Sequence, residues 1–217
     1  MAAIADDKKV SDLMKETKPG FFSFEYFPPK TADGVTNLKK RMLRMKALNP
    51  LFMDFTWGAG GSTSDLTLDL TAACKNEFGV VANMHLTCTN QTASLAEDAL
   101  NKCKAVGVRN IVALRGDAPR GMDKWEAVEG GFTCALDLVK MIRAKYGDYF
   151  TVSVAGYPEG HPDAIDQIEG GIETLTESEK RRCRTFTDDD GKEILMVCRD
   201  AKFAEEMTYL KAKIDAG

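Results

Sequence analysis

The segment Val80-Val81-Ala82-Asn83-Met84-His85-Leu86-Thr87 has the composition of a β-strand that is buried on both faces. It consists mostly of apolar residues and is followed by a polar cluster, as strands of a parallel sheet usually are. Similar segments lie on either side of it, at 22–27, 51–56, 110–116 and 150–157. Most of these segments begin about 30 residues after the preceding one, and about 30 residues accommodate one strand and one crossover helix. The sequence therefore predicts a repeated strand-helix unit.

The stretches between the strands have the periodicity of amphipathic helices. Apolar residues recur at helical spacing across 35–48, and most of the basic residues fall between them. The same pattern fills 64–78, 92–106 and 133–146, and each of these stretches begins near a hydroxyl residue that can cap a helix. An alternation of strands and helices implies a parallel sheet, either a doubly wound open sheet or a closed barrel of eight units.

Two observations favour the barrel. The dinucleotide signature Gly-x-Gly-x-x-Gly does not follow the first strand, where Pro28-Pro29-Lys30 stands instead. Polar residues recur at the carboxyl ends of several strands, which is how a barrel builds its site. We predict an α/β fold of the (β/α)8 TIM-barrel type with about five of its eight units. An amphipathic helix at 200–216 precedes Gly217, where a sixth strand is expected to begin, so we expect the natural barrel to continue.

The domain organisation predicted from these patterns is simple. Residues 1–20 form an N-terminal helical extension, and residues 21–217 form the partial barrel. A polar stretch at 165–199 interrupts the repeat and is interpreted as a surface insertion. Within it, 184–187 and 193–197 flank an Asp-Gly turn, which predicts a β-hairpin.

Composition excludes several classes of function. The chain has 217 residues, of which 44% are hydrophobic and 29% charged, with a net charge of −4. Because the charges are interspersed, we expect no nucleic-acid partner, and no apolar run approaches the length of a membrane span. The start of the chain is acidic, unlike a signal peptide, which predicts a cytoplasmic protein. The six cysteines form no Cys-x-x-Cys pair, so we predict free thiols and no metal site.

Several residues near the predicted strand ends could take part in chemistry. Glu25 alternates with aromatic residues in the first strand, which places its carboxylate on the inner face of a barrel, either as a catalytic group or in a salt bridge. His85 lies in the third strand and is either a ligand-binding group or a satisfied core residue. Arg115 and Asp117 flank a glycine after the fourth strand, where an arginine can bind phosphate or carboxylate or form an internal ion pair.

Five short motifs occur in sequence at barrel spacing. They are Phe24-Glu25-Tyr26-Phe27-Pro28-Pro29-Lys30, Phe55-Thr56-Trp57, His85-Leu86-Thr87, Leu114-Arg115-Gly116-Asp117 and Tyr157-Pro158-Glu159-Gly160-His161-Pro162. In type and order they resemble the motifs of methylenetetrahydrofolate reductases. The resemblance covers about residues 20–164 and resumes at about 203–217.

The resemblance implies a cytoplasmic flavoprotein of one-carbon metabolism. In that family NADH or NADPH reduces FAD, and the reduced flavin converts 5,10-methylenetetrahydrofolate to 5-methyltetrahydrofolate, which feeds methionine biosynthesis. The reaction is that of an oxidoreductase acting on CH–NH groups, and the complete protein is expected to be a homo-oligomer. By resemblance Glu25 is the general acid that helps to open the five-membered folate ring to an iminium, and Asp117 faces both the flavin and the pterin.

The resemblance also assigns the residues that hold FAD. They are Thr56, Trp57, His85, Arg115, Gly116, Asp117, Ala135, Tyr157, His161, Ala164 and Lys213. The sequence departs from the family pattern in three places. Cys134 stands where a tyrosine is frequent, Glu206 where an aspartate is usual, and the insertion at 165–199 is not typical.

Two other functions remain open from sequence. One is a non-catalytic barrel fragment that binds flavin weakly or serves in assembly, because an unclosed barrel exposes sheet edges. The other is a different barrel enzyme, such as an aldolase that forms a Schiff base on a lysine. No lysine falls inside the five predicted strands, which argues against the aldolase.

Overall fold

The computed structural model of the chain describes residues 8–18, 20–58, 64–118, 121–122 and 125–217. Residues 1–7 and Pro19 of the predicted N-terminal extension therefore lie outside the described residues. The chain divides into two compact units, one reaching to Val154 and including Gly217, and the other spanning 155–216. Each unit is described by itself below.

The first unit is a parallel sheet alternating with helices. Its strands β1 to β5 span Phe24–Tyr26, Met53–Phe55, Ala82–Thr87, Asn110–Leu114 and Thr151–Val154. Its helices α1 to α5 span Val10–Glu16, Ala32–Lys46, Ser64–Asn76, Ala93–Ala105 and Ala135–Tyr146. The strands pair in the order β1-β2-β3-β4-β5 and all pairs are parallel. This sequential order is that of a (β/α) barrel and lacks the reversal of a doubly wound sheet, so the predicted fold class is confirmed.

The two faces of this sheet differ in chemistry because side chains alternate along each strand. Met53 and Phe55 of β2 are fully buried in an apolar cluster that includes Met42 of α2 and Leu70 of α3. Asp54 lies between them and points to the opposite face. The helices thus cover the apolar face of the sheet, and the face that carries Asp54 is the one a barrel turns inward.

Helix α1 is fastened to this sheet by side chains of β4 and β5. The buried amide of Asn110 accepts from the Val10 N–H at 2.7 Å, and its Nδ2 donates to the Ala82 carbonyl at 3.0 Å. The hydroxyls of Ser11 and Thr151 lie 3.2 Å apart. Because Val10 is only 4% exposed, the start of α1 is packed against the sheet as well as hydrogen-bonded to it.

The fourth and fifth strands end two or more residues earlier than the sequence predicted. β4 stops at Leu114 rather than Gly116, and β5 stops at Val154 rather than Tyr157. Gly116 has φ of +86° and Tyr157 has φ of +40°, and neither value is compatible with an extended strand. The polar residues after Leu114 therefore lie in the loop beyond the sheet.

The second unit contains a three-stranded antiparallel sheet in the order β6-β8-β7. β6 is Ile165–Ile168, β7 is Arg184–Thr187 and β8 is Glu193–Cys198. β7 and β8 form the hairpin predicted around the Asp-Gly turn, which confirms that prediction. β6 was not predicted. The helices of this unit are α6, Glu177–Arg182, and α7, Asp200–Asp215.

A buried carboxylate organises the second unit around α6. The Glu179 side chain is 3% exposed and accepts from the Arg199 Nε at 2.8 Å. It also accepts from the backbone N–H groups of Thr176, at 3.1 Å, and Asp200, at 3.0 Å. These backbone donors hold the pKa of Glu179 below its ordinary value of 4.5. One side chain thus joins the first turn of α6 to the first turn of α7.

Within the described part of the chain, no helix is both long and apolar enough to cross a membrane. All six cysteines are free thiols, as predicted.

Candidate functional site

The inner face of the parallel sheet carries a row of polar side chains. Glu25 pairs in register with Asp54, and Asp54 pairs in register with Asn83. Residues paired in this way in a parallel sheet project to the same face. Asn83 Nδ2 donates to Asp54 Oδ1 at 2.8 Å, and His85 Nε2 lies 3.7 Å from the same oxygen. Three adjacent strands therefore supply two carboxylates, an amide and an imidazole to one surface.

Glu25 differs from its neighbours in exposure. Asp54 is 8% exposed and Asn83 is 4% exposed, whereas Glu25 is exposed. Glu25 thus shares the face of Asp54 and Asn83 but is not buried with them. β1 is an edge strand of the five-stranded sheet, so Glu25 has a neighbouring strand on one side only. Its carboxylate is open to a ligand in this structure.

Thr56 and Trp57 follow β2 at the carboxyl edge of the sheet. The Thr56 N–H donates to the Tyr26 carbonyl at 3.0 Å, which ties the end of β2 to the end of β1. The Thr56 carbonyl accepts from the Thr67 hydroxyl of α3 at 3.1 Å. Trp57 is 7% exposed, and its indole N–H has no hydrogen-bond partner among the described residues. This edge thus has a fixed backbone and an unused donor.

Gly116 sits in a narrow space at the same edge. A Cβ at this position would lie 2.4 Å from Thr89 Oγ1 and 2.9 Å from Thr87 Cβ. The Thr89 hydroxyl lies 3.1 Å from the Arg115 carbonyl and 3.0 Å from the Asp117 carbonyl, and it accepts from Trp125 Nε1 at 2.7 Å. Thr89 therefore fixes the path of the loop on both sides of the glycine.

Arg115 and Asp117 project from this fixed loop. The Arg115 guanidinium lies over the Trp125 ring, 5.6 Å from its centroid, and Asp117 is exposed. Ala135 is buried as the first residue of α5. The predicted site residues up to Ala135 therefore all lie within the first unit, with Glu25 in β1, His85 in β3 and the rest at strand ends or at a helix start.

The thiol at this edge is not suited to nucleophilic chemistry. Cys88 Sγ lies 3.3 Å from the Leu114 carbonyl and 3.5 Å from the Cys134 carbonyl. Burial raises the pKa of Cys88 from 9.0 to about 12, so the thiolate is scarce at neutral pH. Nor do the described residues contain a cluster of three or more His, Cys, Asp or Glu side chains that could hold a metal ion.

The remaining predicted site residues belong to the second unit. The Tyr157 and His161 rings meet edge to face with centroids 4.7 Å apart, and the His161 Nδ1 accepts from the Asp163 N–H at 3.1 Å. Ala164 is buried and closes the short 3-10 turn that His161 begins. Lys213 of α7 is 5% exposed and donates to the Ala155 carbonyl at 2.6 Å. Each of these side chains therefore has a defined position in its own unit.

Two features of the first unit are compatible with a polar ligand at the carboxyl edge of the sheet. Buried polar atoms without a partner among the described residues, Trp57 Nε1 and Thr87 Oγ1, occur at the edge where a polar ligand is predicted. Gly116 has no Cβ to clash with Thr87 and Thr89, so the loop that carries Arg115 and Asp117 can pack closely against the end of β3. A cavity of about 250 Å³ opens beside Trp57 between α3 and α4, but it is smaller than typical ligand pockets and does not contain the other predicted residues.

Sequence reasoning missed several members of this arrangement. Asp54 and Asn83 lie within otherwise apolar segments, and Thr89 and Trp125 lie outside the predicted strands. The sequence does contain a signal for Asp54 and Asn83, because Glu25, Asp54 and Asn83 follow one another at intervals of 29 residues. No comparable spacing marks Thr89 or Trp125, because it is the course of the loop after β4 that brings these two side chains together.

Comparison with known proteins agrees with the motifs. The family model described as methylenetetrahydrofolate reductase matches residues 9–217. Methylenetetrahydrofolate reductase (NADH) 1 of Zea mays is 52% identical over 196 residues, covering 90% of this chain and 28% of the maize protein. Methylenetetrahydrofolate reductase (NADH) 1 of Arabidopsis thaliana is 46% identical over 212 residues, covering 96% of this chain and 31% of that protein.

A more distant relative carries a different nicotinamide in its name. The probable methylenetetrahydrofolate reductase (NADPH) of Caenorhabditis elegans is 35% identical over 162 residues, covering 72% of this chain and 24% of that protein. The chain thus spans less than a third of the length of these three relatives. Because the family model matches nearly the whole chain and the motifs lie on successive strands of a parallel sheet, the chain belongs to the methylenetetrahydrofolate reductase family.

Proposed function

We propose that this protein reduces 5,10-methylenetetrahydrofolate to 5-methyltetrahydrofolate with NADH or NADPH, through bound FAD. The observation that carries the proposal is the polar inner face of β1 to β3, where Glu25 and Asp54 lie in register beside Asn83 and His85. The names of the relatives support both the folate substrate and a nicotinamide reductant. We further propose a cytoplasmic homo-oligomer, as in the family pattern.

The family pattern assigns positions that would hold FAD to each unit. In the first unit the set is Thr56, Trp57, His85, Arg115, Gly116, Asp117 and Ala135. In the second unit it is Tyr157, His161, Ala164 and Lys213. Bound FAD supplies hydride transfer between the nicotinamide and the folate. The protein's part is to bind and orient the reactants and to supply a proton.

Arg115 and Gly116 are suited to binding. A guanidinium offers a rigid fork of donors to phosphate or to ribityl hydroxyls, and the Trp125 ring restricts where that fork can move. Gly116 lets the loop pack against Thr87 and Thr89, where a Cβ would clash. Thr89 holds the loop through both flanking carbonyls, so the two residues are presented together.

Glu25 is suited to proton transfer to the folate. It is exposed on the inner face, where a substrate can reach its carboxyl group. We propose that Glu25 donates the proton that allows the five-membered folate ring to open, and that Asp117, exposed at the carboxyl edge, interacts with the pterin. No proton from the protein is needed when the nicotinamide delivers its hydride.

The two half-reactions test this proposal. An active preparation of the protein is supplied with FAD, and flavin absorbance is followed by rapid mixing, first with NADH or NADPH and then with 5,10-methylenetetrahydrofolate. Glu25→Gln is expected to leave the first step nearly unchanged and to slow the second by roughly 10²–10⁴, the usual contribution of a positioned acid. Glu16→Gln, a change at an exposed carboxylate of α1, is the matched control.

The outcomes separate the proposal from its alternatives. An equal loss in both steps would make Glu25 a residue that positions the flavin. No loss in the folate step would remove it from the mechanism. A protein that neither retains flavin nor oxidises a nicotinamide would favour the non-catalytic assembly role.

A further inference from the structure

One edge of the three-stranded sheet in the second unit is formed by an exposed strand. β7 lies at one edge of the order β6-β8-β7, and all of its residues, Arg184–Thr187, are exposed. Phe186 is 54% exposed although it is a large aromatic residue. Neither proline nor lysine nor a bulge, which protect many natural edge strands, occurs in β7, although the strand is short and begins with the charged Arg184. The edge therefore has the properties of a pairing surface.

The hairpin geometry shows which backbone groups are available at that edge. The Asp188 N–H donates to the Lys192 carbonyl at 3.0 Å, which marks a hydrogen-bonded pair next to the turn. Hydrogen-bonded and non-hydrogen-bonded pairs alternate along an antiparallel ladder. By this alternation, the backbone N–H and C=O groups of Phe186 face Ile194 of β8. The backbone N–H and C=O groups of Thr185 and Thr187 point away from β8. These threonine groups form the free edge.

The sequence of this strand is complementary to itself in the antiparallel direction. If two copies pair about Phe186, Thr185 of each copy lies opposite Thr187 of the other. In that register the outward backbone groups of the threonines meet each other as hydrogen-bonded pairs. In a register shifted by one residue, each threonine would lie opposite a residue whose backbone N–H and C=O groups already face β8, and the hydrogen bonds between the two copies would be lost.

The side chains favour the same register. Arg184 of each copy lies opposite Asp188 of the other, at a non-hydrogen-bonded site where side chains are closest. The two Phe186 rings meet at the two-fold axis, also at a non-hydrogen-bonded site, next to Ile194 of each hairpin. Backbone, charge and apolar contacts thus agree on one arrangement.

We propose that β7 is the dimerisation strand of this chain, and that two copies pair antiparallel about Phe186 to form a continuous six-stranded sheet. The arrangement has two-fold symmetry, which is the commonest symmetry of homo-oligomers. The occupant of the edge is a second copy of this chain. The inference does not depend on the proposed reaction, because the strand belongs to the insertion at 165–199.

Sedimentation velocity of the full chain, from about 10 µM to about 1 mM, tests this pairing. The unaltered chain is expected to shift from monomer to dimer as its concentration rises. Thr187→Pro removes an outward N–H without removing a bond to β8, and is expected to remain monomeric. Thr187→Val keeps that N–H and is expected to dimerise like the unaltered chain. A monomer at every concentration, or equal dimerisation of the two variants, would overturn the proposal.

A charge reversal at Arg184 tests the register without proline. Asp188 is left unchanged, because its Oδ1 accepts from the N–H groups of Asp190, at 3.1 Å, and Lys192, at 2.8 Å, and so holds the hairpin turn. Arg184→Glu places like charges opposite one another twice and is expected to raise the dimer dissociation constant about tenfold or more, whereas Arg184→Lys keeps the charge and is expected to dimerise like the unaltered chain. If Arg184→Glu associates as tightly as Arg184→Lys, β7 does not pair in this way.

Discussion

The loop that carries Arg115 and Asp117 requires glycine at position 116. The Gly116 φ of +86° lies in the left-handed region, and the space beside this residue is already occupied by Thr87 and Thr89. Two separate requirements therefore select glycine here, conformational freedom and the absence of a Cβ. Gly121 has a similar φ of +91°, but no heavy atom lies within 4 Å of the place a Cβ would occupy, so it meets only the first requirement.

The Gly116→Ala change is expected to destabilise the protein more than Gly121→Ala. Both changes introduce the strain of a left-handed residue, roughly 1–2 kcal/mol, and only the first adds overpacking, which typically contributes about 1–3 kcal/mol more. Urea unfolding of both variants measures the difference. Equal losses of unfolding free energy would show that the Thr87 and Thr89 side chains move aside without cost.

The residues of the site differed in how well the sequence revealed them. Glu25, Arg115 and Asp117 stand out because charged residues are rare in or beside apolar strands. Asp54 is equally charged, but it lies between Met53 and Phe55, and only the strand register shows that it shares a face with Glu25. The exposure of Glu25 could not be predicted, because it depends on β1 lying at the edge of the sheet.

Among the elements, the long periodic ones were predictable and the short polar ones were not. The five parallel strands and the hairpin of β7 and β8 were located correctly because apolar periodicity or an Asp-Gly turn marks them. β6 consists of Ile165–Ile168, with polar residues at its centre, and it is defined by pairing with β8 rather than by its own composition. α6 is similarly short and polar, and its start is stabilised by Thr176 and Glu179.

The junction between α6 and α7 predicts a dependence of stability on pH. The N–H groups of Asp200 and Thr176 lower the pKa of Glu179, so its ionised form stabilises the folded state above the ordinary pKa of 4.5. This stability is lost as the pH falls through the depressed folded-state pKa. Glu179→Gln is expected to lower stability at neutral pH and to flatten the fall in stability that sets in as the pH nears 4.5 and continues below it.

Thermal unfolding across that pH range measures the effect. Glu177→Gln is the matched control, since the Glu177 side chain is 84% exposed and pairs only with Lys180 on the same helix among the ion pairs described. It should retain the slope of the unaltered protein. A Glu179→Gln slope as steep as that of the control would show that the buried carboxylate does not set the acid sensitivity.

Across the whole molecule, the order of the strands follows the order of the chain. Each strand of the first unit pairs with the strand that precedes it in sequence, and the repeated spacing of the strands made this order predictable. The attachment of α1 was not predictable, because Val10 and Asn110 are 100 residues apart and share no pattern.

The Asn110→Ala change tests how firmly α1 is attached. It leaves the buried Val10 N–H and the Ala82 carbonyl without their partner, and an unsatisfied buried group costs about 1–3 kcal/mol. Amide hydrogen exchange in α1 is expected to accelerate, as is exchange at the start of β4. Ser11→Ala removes only the hydroxyl contact with Thr151 and is expected to change exchange much less. Similar protection of α1 in both variants would show that apolar packing of Val10 is sufficient.

The contact between Val10 and Asn110 also has a consequence for synthesis on the ribosome. Each strand from β2 onward can pair with a neighbour that has already emerged, but α1 emerges first and its anchor on β4 follows 100 residues later. At a translation rate of about 5–20 residues per second, this delay is roughly 5–20 s. The start of α1 is therefore made before the strand that anchors it, and during that interval the Val10 side chain has no β4 to pack against.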